Sequence, residues 1–361
     1  MNKKIVFFVG SMNWGGAEKV ISVLANSYAN DGWSVTIVCL LSDVCVYSLN
    51  SSIHLECFKG KKRGYIKNTF FWINSIKNFL KSSKPDIVVS FVCRINILVL
   101  LAKKMSKIKT RVVISERNDP EFDGRGKLAV FLANRLYPRA DLLICQSNKE
   151  KIFFNKKTQK NAIVIKNPIQ LFSNPIPFEK KQELIVNVAR LEASKNQELL
   201  IRVFSKIVKE QKNNNFHLTI FGNGPLKEHL LSIIDELDTS DYINIEDSTI
   251  LVHEKLSAAS IFCLSSNYEG MSNALMEAMA LGTPSISTAV SGSDDLITDS
   301  VNGFIVPVNN PDALYEKMLL LISNTSYRKK FYNNCLSLEF QEDLRSSLDK
   351  YKKSINGGIG I

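Results

Sequence analysis

Two successive doubly wound α/β halves are the fold this chain predicts, on three observations. Short apolar runs of strand length alternate with helical stretches from the first residues to about residue 325. The alternation breaks once, over a proline-containing stretch at 168–178, and then restarts. With 361 residues, 45% of them apolar and 22% charged, the chain has the length of two ordinary domains.

The elements follow in order. Residues 5–9 read as a buried strand. A loop and an amphipathic helix with Val20, Leu24 and Tyr28 on one face come next, Gly32 stops the helix, and 35–41 supplies the second strand of a β-α-β unit. The most apolar long stretch, 87–102, is interrupted by Ser90, Arg94 and Asn96 and falls short of the ~20 residues that span a bilayer. It reads as a strand over 86–91 that runs into a helix over 95–105. Strands at 112–115, 142–146 and 163–166, with helices around 70–81 and 127–137, complete a first domain over 1–167. Pro168, Pro175 and Pro177, with Ser173 and Asn174, mark 168–178 as an extended linker. Strands at 184–189, 218–221, 261–264, 285–287 and 304–306 then alternate with helices that start near Asn196, Pro225, Lys255, Asn273 and Pro311, which gives a second domain over 179–325. Residues 326–361 read as a helical tail.

Seven cysteines are scattered without a C-x-x-C pair, several of them in apolar strand-like runs, which points to reduced thiols and a cytoplasmic location. The apolar run after Met-Asn-Lys-Lys is too short for the core of a signal peptide. Net charge is +11 and unevenly spread: residues 1–170 carry 28 Lys plus Arg against 11 Asp plus Glu, and the remainder 18 against 24. Such polarity implies an anionic partner for the first half, whether membrane, nucleic acid or polyphosphate.

The most informative segment is Ser265 through Gly282, which holds Glu269 and Glu277. The apolar strand before it and the Ala-, Leu- and Met-rich stretch 273–281 place Glu269 at a strand exit and Glu277 about two turns into a helix. Open α/β sheets bind ligands at the carboxyl ends of their strands, so Glu269 and the backbone N–H groups of Met271, Ser272, Asn273 and Ala274 would line a cleft. The plainer alternative is a carboxylate that favours the helix dipole and a second one in solvent. Arg190 and Lys195 follow another second-half strand and could neutralise a diphosphate. Gly15 and Gly16, in a loop that opens a helix, would let backbone approach a phosphate or an acceptor, or form a plain turn. Gly222-Asn223-Gly224-Pro225 is a further candidate loop that turn chemistry explains equally well.

The run Glu-Gly-Met-Ser-Asn-Ala-Leu-Met-Glu-Ala-Met-Ala-Leu-Gly-Thr-Pro resembles the signature of retaining nucleotide-sugar glycosyltransferases of family 4, with the GT-B fold. Arg190 to Asn196 and Gly15 to Lys19 resemble that family's phosphate-binding and glycine-rich segments, in the same order. The resemblance implies that Glu277 takes the ribose hydroxyls and Glu269 the hydroxyls of the transferred sugar, while Arg190 and Lys195 stabilise the departing diphosphate. It also implies front-face substitution without a protein nucleophile, and a tail that crosses back to the first domain. Where many relatives place a His, this chain has Ser115-Glu116-Arg117-Asn118-Asp119-Pro120, so Glu116 and Arg117 become possible sugar or acceptor contacts, or an internal ion pair. That segment is most similar to a bacterial surface-polysaccharide subgroup, which implies a UDP-linked N-acetylhexosamine donor and a glycan acceptor on a polyprenyl diphosphate.

No metal site is expected: the four His residues are dispersed and no Asp-x-Asp stands at a strand end. A mixed basic and aromatic segment, with Lys59, Lys61, Lys62, Arg63 and Lys67 leading into Phe71 and Trp72, reads as a membrane-surface element, or as a solvated loop entering a core helix. The reading is thus a cytoplasmic, peripheral-membrane glycosyltransferase with a UDP-sugar donor, no cofactor and no nucleic-acid partner. The competing readings are another GT-B enzyme, such as a nucleotide-sugar epimerase, and a non-catalytic adaptor that binds membrane or nucleic acid.

Overall fold

The computed structural model describes residues 2–59, 65–211, 215–249 and 251–358. The chain divides into two units, one of Met1–Pro168 with Ser346–Ile361 and the other of Ile169–Arg345. In the first, strands β1 (Lys4–Val9), β2 (Ser34–Cys39), β3 (His54–Cys57), β4 (Ile87–Phe91), β5 (Arg111–Ser115), β6 (Leu142–Cys145) and β7 (Ala162–Val164) form one sheet in the order β3-β2-β1-β4-β5-β6-β7. Every pairing in it is parallel. In the second, β8 (Gln182–Val188), β9 (His217–Phe221), β10 (Ile243–Glu246), β11 (Ala259–Leu264), β12 (Ser285–Thr288) and β13 (Gly303–Val306) are ordered β10-β9-β8-β11-β12-β13, again all parallel.

Parallel strands covered on both faces need apolar side chains pointing both ways, which is why β1 reads Lys-Ile-Val-Phe-Phe-Val without alternation. Val6 and Phe8 enter one core, with Trp72, Ile76 and Leu98; Ile5, Phe7 and Val9 enter the other, with Val20, Leu24 and Tyr351. The second unit repeats the device: Ile261 and Cys263 face one core, Phe262 and Leu264 the other.

Of the four edge strands, β3 and β10 were not expected from the sequence. The linker and tail boundaries also shift. Ile169 and Leu171 pack on a core of the second unit, and Ile176 N–H donates to Ser257 Oγ at 3.1 Å, so this stretch belongs to that unit. The helix Thr325–Cys335 also stays with the second unit, burying Phe331 and Cys335, and only Ser346–Ile361 joins the first. There Tyr351 and Ile355 are fully buried, and Arg111 donates to the carbonyls of Ser354 and Ile355.

Candidate active site

In the second unit the strand order reverses between β8 and β11, the place where doubly wound sheets leave a crevice at their carboxyl ends. The loops that leave these two strands carry the predicted site residues, and they are stitched together. Asn267 N–H donates to Ser194 O at 2.8 Å and its amide to Ala193 O at 3.1 Å, while Ser265 Oγ donates to Lys195 O at 2.9 Å. Asn196, in the left-handed region at φ 47°, turns the first loop into the helix Gln197–Glu210.

A third loop braces them. A Cβ on Gly222 would meet Ala189 O at 2.0 Å and one on Gly224 would meet Leu191 O at 2.3 Å, so both positions need glycine for close backbone approach. Leu191 N–H donates to Asn223 O at 3.0 Å.

Lys195 Nζ is 2.8 Å from Glu269 Oε1, an oxygen that also accepts from Ser266 Oγ at 2.8 Å. Both side chains of the ion pair are mostly buried. Arg190 is not drawn into this cluster: its guanidinium is exposed and pairs with Glu192 at 3.0 Å. Beyond Gly270 the chain enters the helix Asn273–Ala280. Ser272 caps it, its hydroxyl accepting from Leu275 N–H; Met271 is buried, and Asn273 and Ala274 form the first turn.

Glu277 lies on the inner side of that helix, 2% exposed, so it is not the solvated acid of the plainer reading. Its Oε2 is 3.0 Å from Nε2 of His253, and His253 Nδ1 accepts the backbone N–H of Phe172 at 3.0 Å. Because Nδ1 accepts, the neutral ring carries its proton on Nε2, directed at the carboxylate. The Phe172 ring stacks on the imidazole at 5.4 Å and 17°. His253, Phe172 and Ser266 were not singled out from sequence. For His253 no local signal exists, since its partners are brought in from elsewhere by the fold.

The first-unit candidates divide. Gly15 N–H donates to Tyr47 Oη and Gly15 O accepts from it, and the helix Gly16–Asn30 starts at the next residue. Glu116 and Arg117 are 1% and 7% exposed and engaged internally, and the internal ion pair of the alternative reading is present with Arg125, not Arg117, as the partner of Glu116. Glu116 takes Arg125 Nη2 at 2.6 Å and the Tyr137 hydroxyl, and burial raises its pKa despite the Arg125 charge. Arg117 donates to Asn167 and lies over the Phe91 ring at 4.3 Å.

Trp72 is a correction. It is 4% exposed, donates its Nε1–H to Phe58 O at 3.0 Å and packs in the core, so it is not a surface anchor. Phe71 and its neighbour Phe70 are exposed, and Lys59 pairs with Asp43 at 2.7 Å. Lys61, Lys62 and Arg63, with the side chain of Lys67, lie outside the described residues. Among the described residues no group of three or more His, Cys, Asp or Glu could hold a metal ion, and no helix is long and apolar enough to cross a membrane.

Comparison with known proteins agrees with this division. A family model described as "Glycosyltransferase Family 4" matches residues 14–171 and one described as "Glycosyl transferases group 1" matches 169–336. The chain is 27% identical over 340 residues, 92% of each chain, to the GalNAc-alpha-(1->4)-GalNAc-alpha-(1->3)-diNAcBac-PP-undecaprenol alpha-1,4-N-acetyl-D-galactosaminyltransferase of Campylobacter jejuni. It is 29% identical over 356 residues, 92% of this chain and 93% of the relative, to the N-acetylgalactosamine-N,N'-diacetylbacillosaminyl-diphospho-undecaprenol 4-alpha-N-acetylgalactosaminyltransferase of the same organism. In fold it is similar to Anabaena Alr3699/HepE in complex with UDP, with a TM-score of 0.79 at 15% identity over 99% of this chain and all of the other.

Proposed function

We propose that this chain, which belongs to the family 4 glycosyltransferases and carries their GT-B fold, moves a sugar from a UDP-sugar to a growing bacterial surface glycan with retention of configuration. The sugar we infer is an N-acetylhexosamine and the acceptor a glycan on a polyprenyl diphosphate. The activities for which the two Campylobacter relatives are named support both. The observation that carries the reading is that one loop and helix beside the β8–β11 reversal hold Glu269, paired to Lys195, and the buried Glu277.

Their chemistry suits a nucleotide sugar. A carboxylate can accept two vicinal hydroxyl protons, and the resemblance to the family assigns Glu277 to the ribose and Glu269 to the transferred sugar. Lys195, held at the loop by Glu269, supplies positive charge to the diphosphate, and the exposed Arg190 is within the same loop to add to it. In the transfer step the acceptor hydroxyl oxygen bonds to the anomeric carbon, the bond from that carbon to the β-phosphate oxygen breaks, and a phosphate oxygen takes the acceptor's proton. No protein nucleophile enters that balance, and these two cations take the role a divalent ion would have.

Association with an anionic membrane belongs to the same proposal. Its support is the excess of Lys and Arg in residues 1–170 and the exposed Phe70 and Phe71. The test is turnover of a panel of UDP- and GDP-sugars with and without EDTA, for wild type, Glu277→Ala and Lys195→Ala. Turnover of a UDP-sugar that resists EDTA and collapses in both variants is expected; wild type that neither turns over nor binds a uridine nucleotide overturns the reading.

A further inference from the structure

We propose that His253 is a positioning residue of the donor site, which orients Glu277 for the nucleotide and ties it to the segment where the chain enters the second unit. The proposal rests on the reading of Glu277 as the ribose carboxylate.

His253 sits on the helix Val252–Ala258, just before β11, and Glu277 on the helix Asn273–Ala280 just after it. Their side chains are 2% and 3% exposed and meet at 3.0 Å. A glutamate side chain has three rotatable bonds, so a carboxylate that must present one edge to two hydroxyls loses entropy unless something else holds it. The imidazole N–H bonds Oε2 and fixes the plane of the group.

The identity of the partner matters. A lysine or arginine here would neutralise the carboxylate and compete with ligand hydroxyls for its lone pairs, whereas a neutral imidazole contributes one donor and leaves the negative charge in place. The Phe172 N–H donates to Nδ1, which directs Nε2 to the carboxylate, and the Phe172 ring covers the imidazole face at 5.4 Å while being 65% exposed itself. Stability alone does not call for this arrangement, because a buried His and carboxylate lose hydration that an apolar pair of the same volume would not.

Phe172 is also only a few residues beyond Pro168, the last residue of the first unit before the chain crosses over. A ligand that tightens Glu277 therefore tightens His253 and, through it, the Phe172 amide.

The experiment uses the full chain with UDP as the binding probe and UDP-GalNAc as donor. It compares wild type, His253→Ala, His253→Gln and Glu277→Ala by calorimetry and by steady-state kinetics. His253→Ala is expected to raise the Kd for UDP and the donor KM about tenfold with kcat within about twofold, the size of one lost orienting hydrogen bond. His253→Gln, whose amide N–H reaches the position of Nε2, is expected to stay within about threefold of wild type on both. Hydrogen exchange adds a readout that needs no variant: UDP should slow exchange at the Phe172 amide of wild type.

Unchanged UDP affinity in a folded His253→Ala, a loss in kcat at constant KM, or Phe172 exchange indifferent to UDP overturns the positioning role. If His253→Ala does not fold, His253→Gln and the wild-type exchange decide, with weak UDP binding by the glutamine variant or no protection of Phe172 counting against the role. Wild type that binds no UDP, or binds it undiminished in Glu277→Ala, overturns the underlying reading and the inference with it.

Discussion

Lys195 and Glu269 share a short ion pair, Nζ to Oε1 at 2.8 Å, and the same carboxylate oxygen takes the Ser266 hydroxyl. The strand exits of β8 and β11 are therefore joined by charge as well as by the backbone bonds of Asn267. A cation held in this way needs no reorganisation when negative charge develops on a leaving group. We expect Lys195→Ala to lower kcat/KM for the donor by about 10²–10³-fold, with a smaller loss in Ser266→Ala. A double-mutant cycle of Lys195→Ala with Glu269→Gln should show coupling of about 1–3 kcal/mol; additive effects would mean that the pair does not act as a unit.

The glycine loop after β9 makes a separate prediction. At Gly222 and Gly224 an added methyl would press on the carbonyl oxygens of Ala189 and Leu191, which are backbone atoms and cannot swing aside. Gly222→Ala and Gly224→Ala should each cost about 1–3 kcal/mol in urea denaturation, as overpacking does, and weaken UDP binding because the Arg190 loop must move. Full stability in either variant would show that the loops do not touch as described.

Glu150 gives a pH dependence. It is fully buried, its Oε2 accepts Gln146 N–H at 2.7 Å, and desolvation pushes its pKa up to about 8, opposed by that hydrogen bond and by Arg117 and helped by the Glu116 charge. In the unfolded chain a glutamate titrates near ~4.3, so between about pH 4.5 and 8 the folded protein holds a proton that the unfolded chain has released. This contribution to stability is complete below that window and is lost as pH rises through it. Melting temperatures of wild type should fall relative to Glu150→Gln from pH 5 to pH 8, and parallel curves would remove Glu150 as the cause.

Tyr351 is a fourth test. It is fully buried, with the Arg117 guanidinium 5.7 Å from its ring centre, and the neighbouring turn is fixed by Tyr28 donating to Asn356 at 3.1 Å. Tyr351→Ala should destabilise by about 3–5 kcal/mol, as large-to-small changes in cores do, whereas Lys353→Ala on the exposed side should stay within about 0.5 kcal/mol. Chemical denaturation of the two variants side by side decides it.

Much of this was legible in the sequence because the informative features are contiguous. The strand, loop and helix around Glu269 and Glu277 form one segment, and parallel strands buried on both faces announce themselves as unbroken apolar runs. Two of the four edge strands do not: β3 reads His-Leu-Glu-Cys and β10 Ile-Asn-Ile-Glu, partly exposed and too polar to stand out. Trp72 was misread because cations precede it, although its helical spacing with Ile76 and Leu80 turns all three inward and leaves Phe70 and Phe71 outside. The sequence left Glu116 between ligand contact and internal ion pair, because its partners Arg125 and Tyr137 are brought there by the fold. His253 was invisible for the same reason, lying 24 positions from Glu277 on another helix.

The division of the helix Leu338–Ile355 has a consequence for biosynthesis. Leu344 is buried with the second unit, and Tyr351 and Ile355 with the first. The unit whose strands are made first is therefore completed after the other: β1 to β7 wait with an unfilled socket until residues 346–355 have been made. The second unit, continuous from Ile169 to Arg345, draws its cores from one unbroken stretch of chain. A nascent chain stalled before Ser346 should expose the apolar socket of its oldest domain, and it is there that a chaperone would find its substrate.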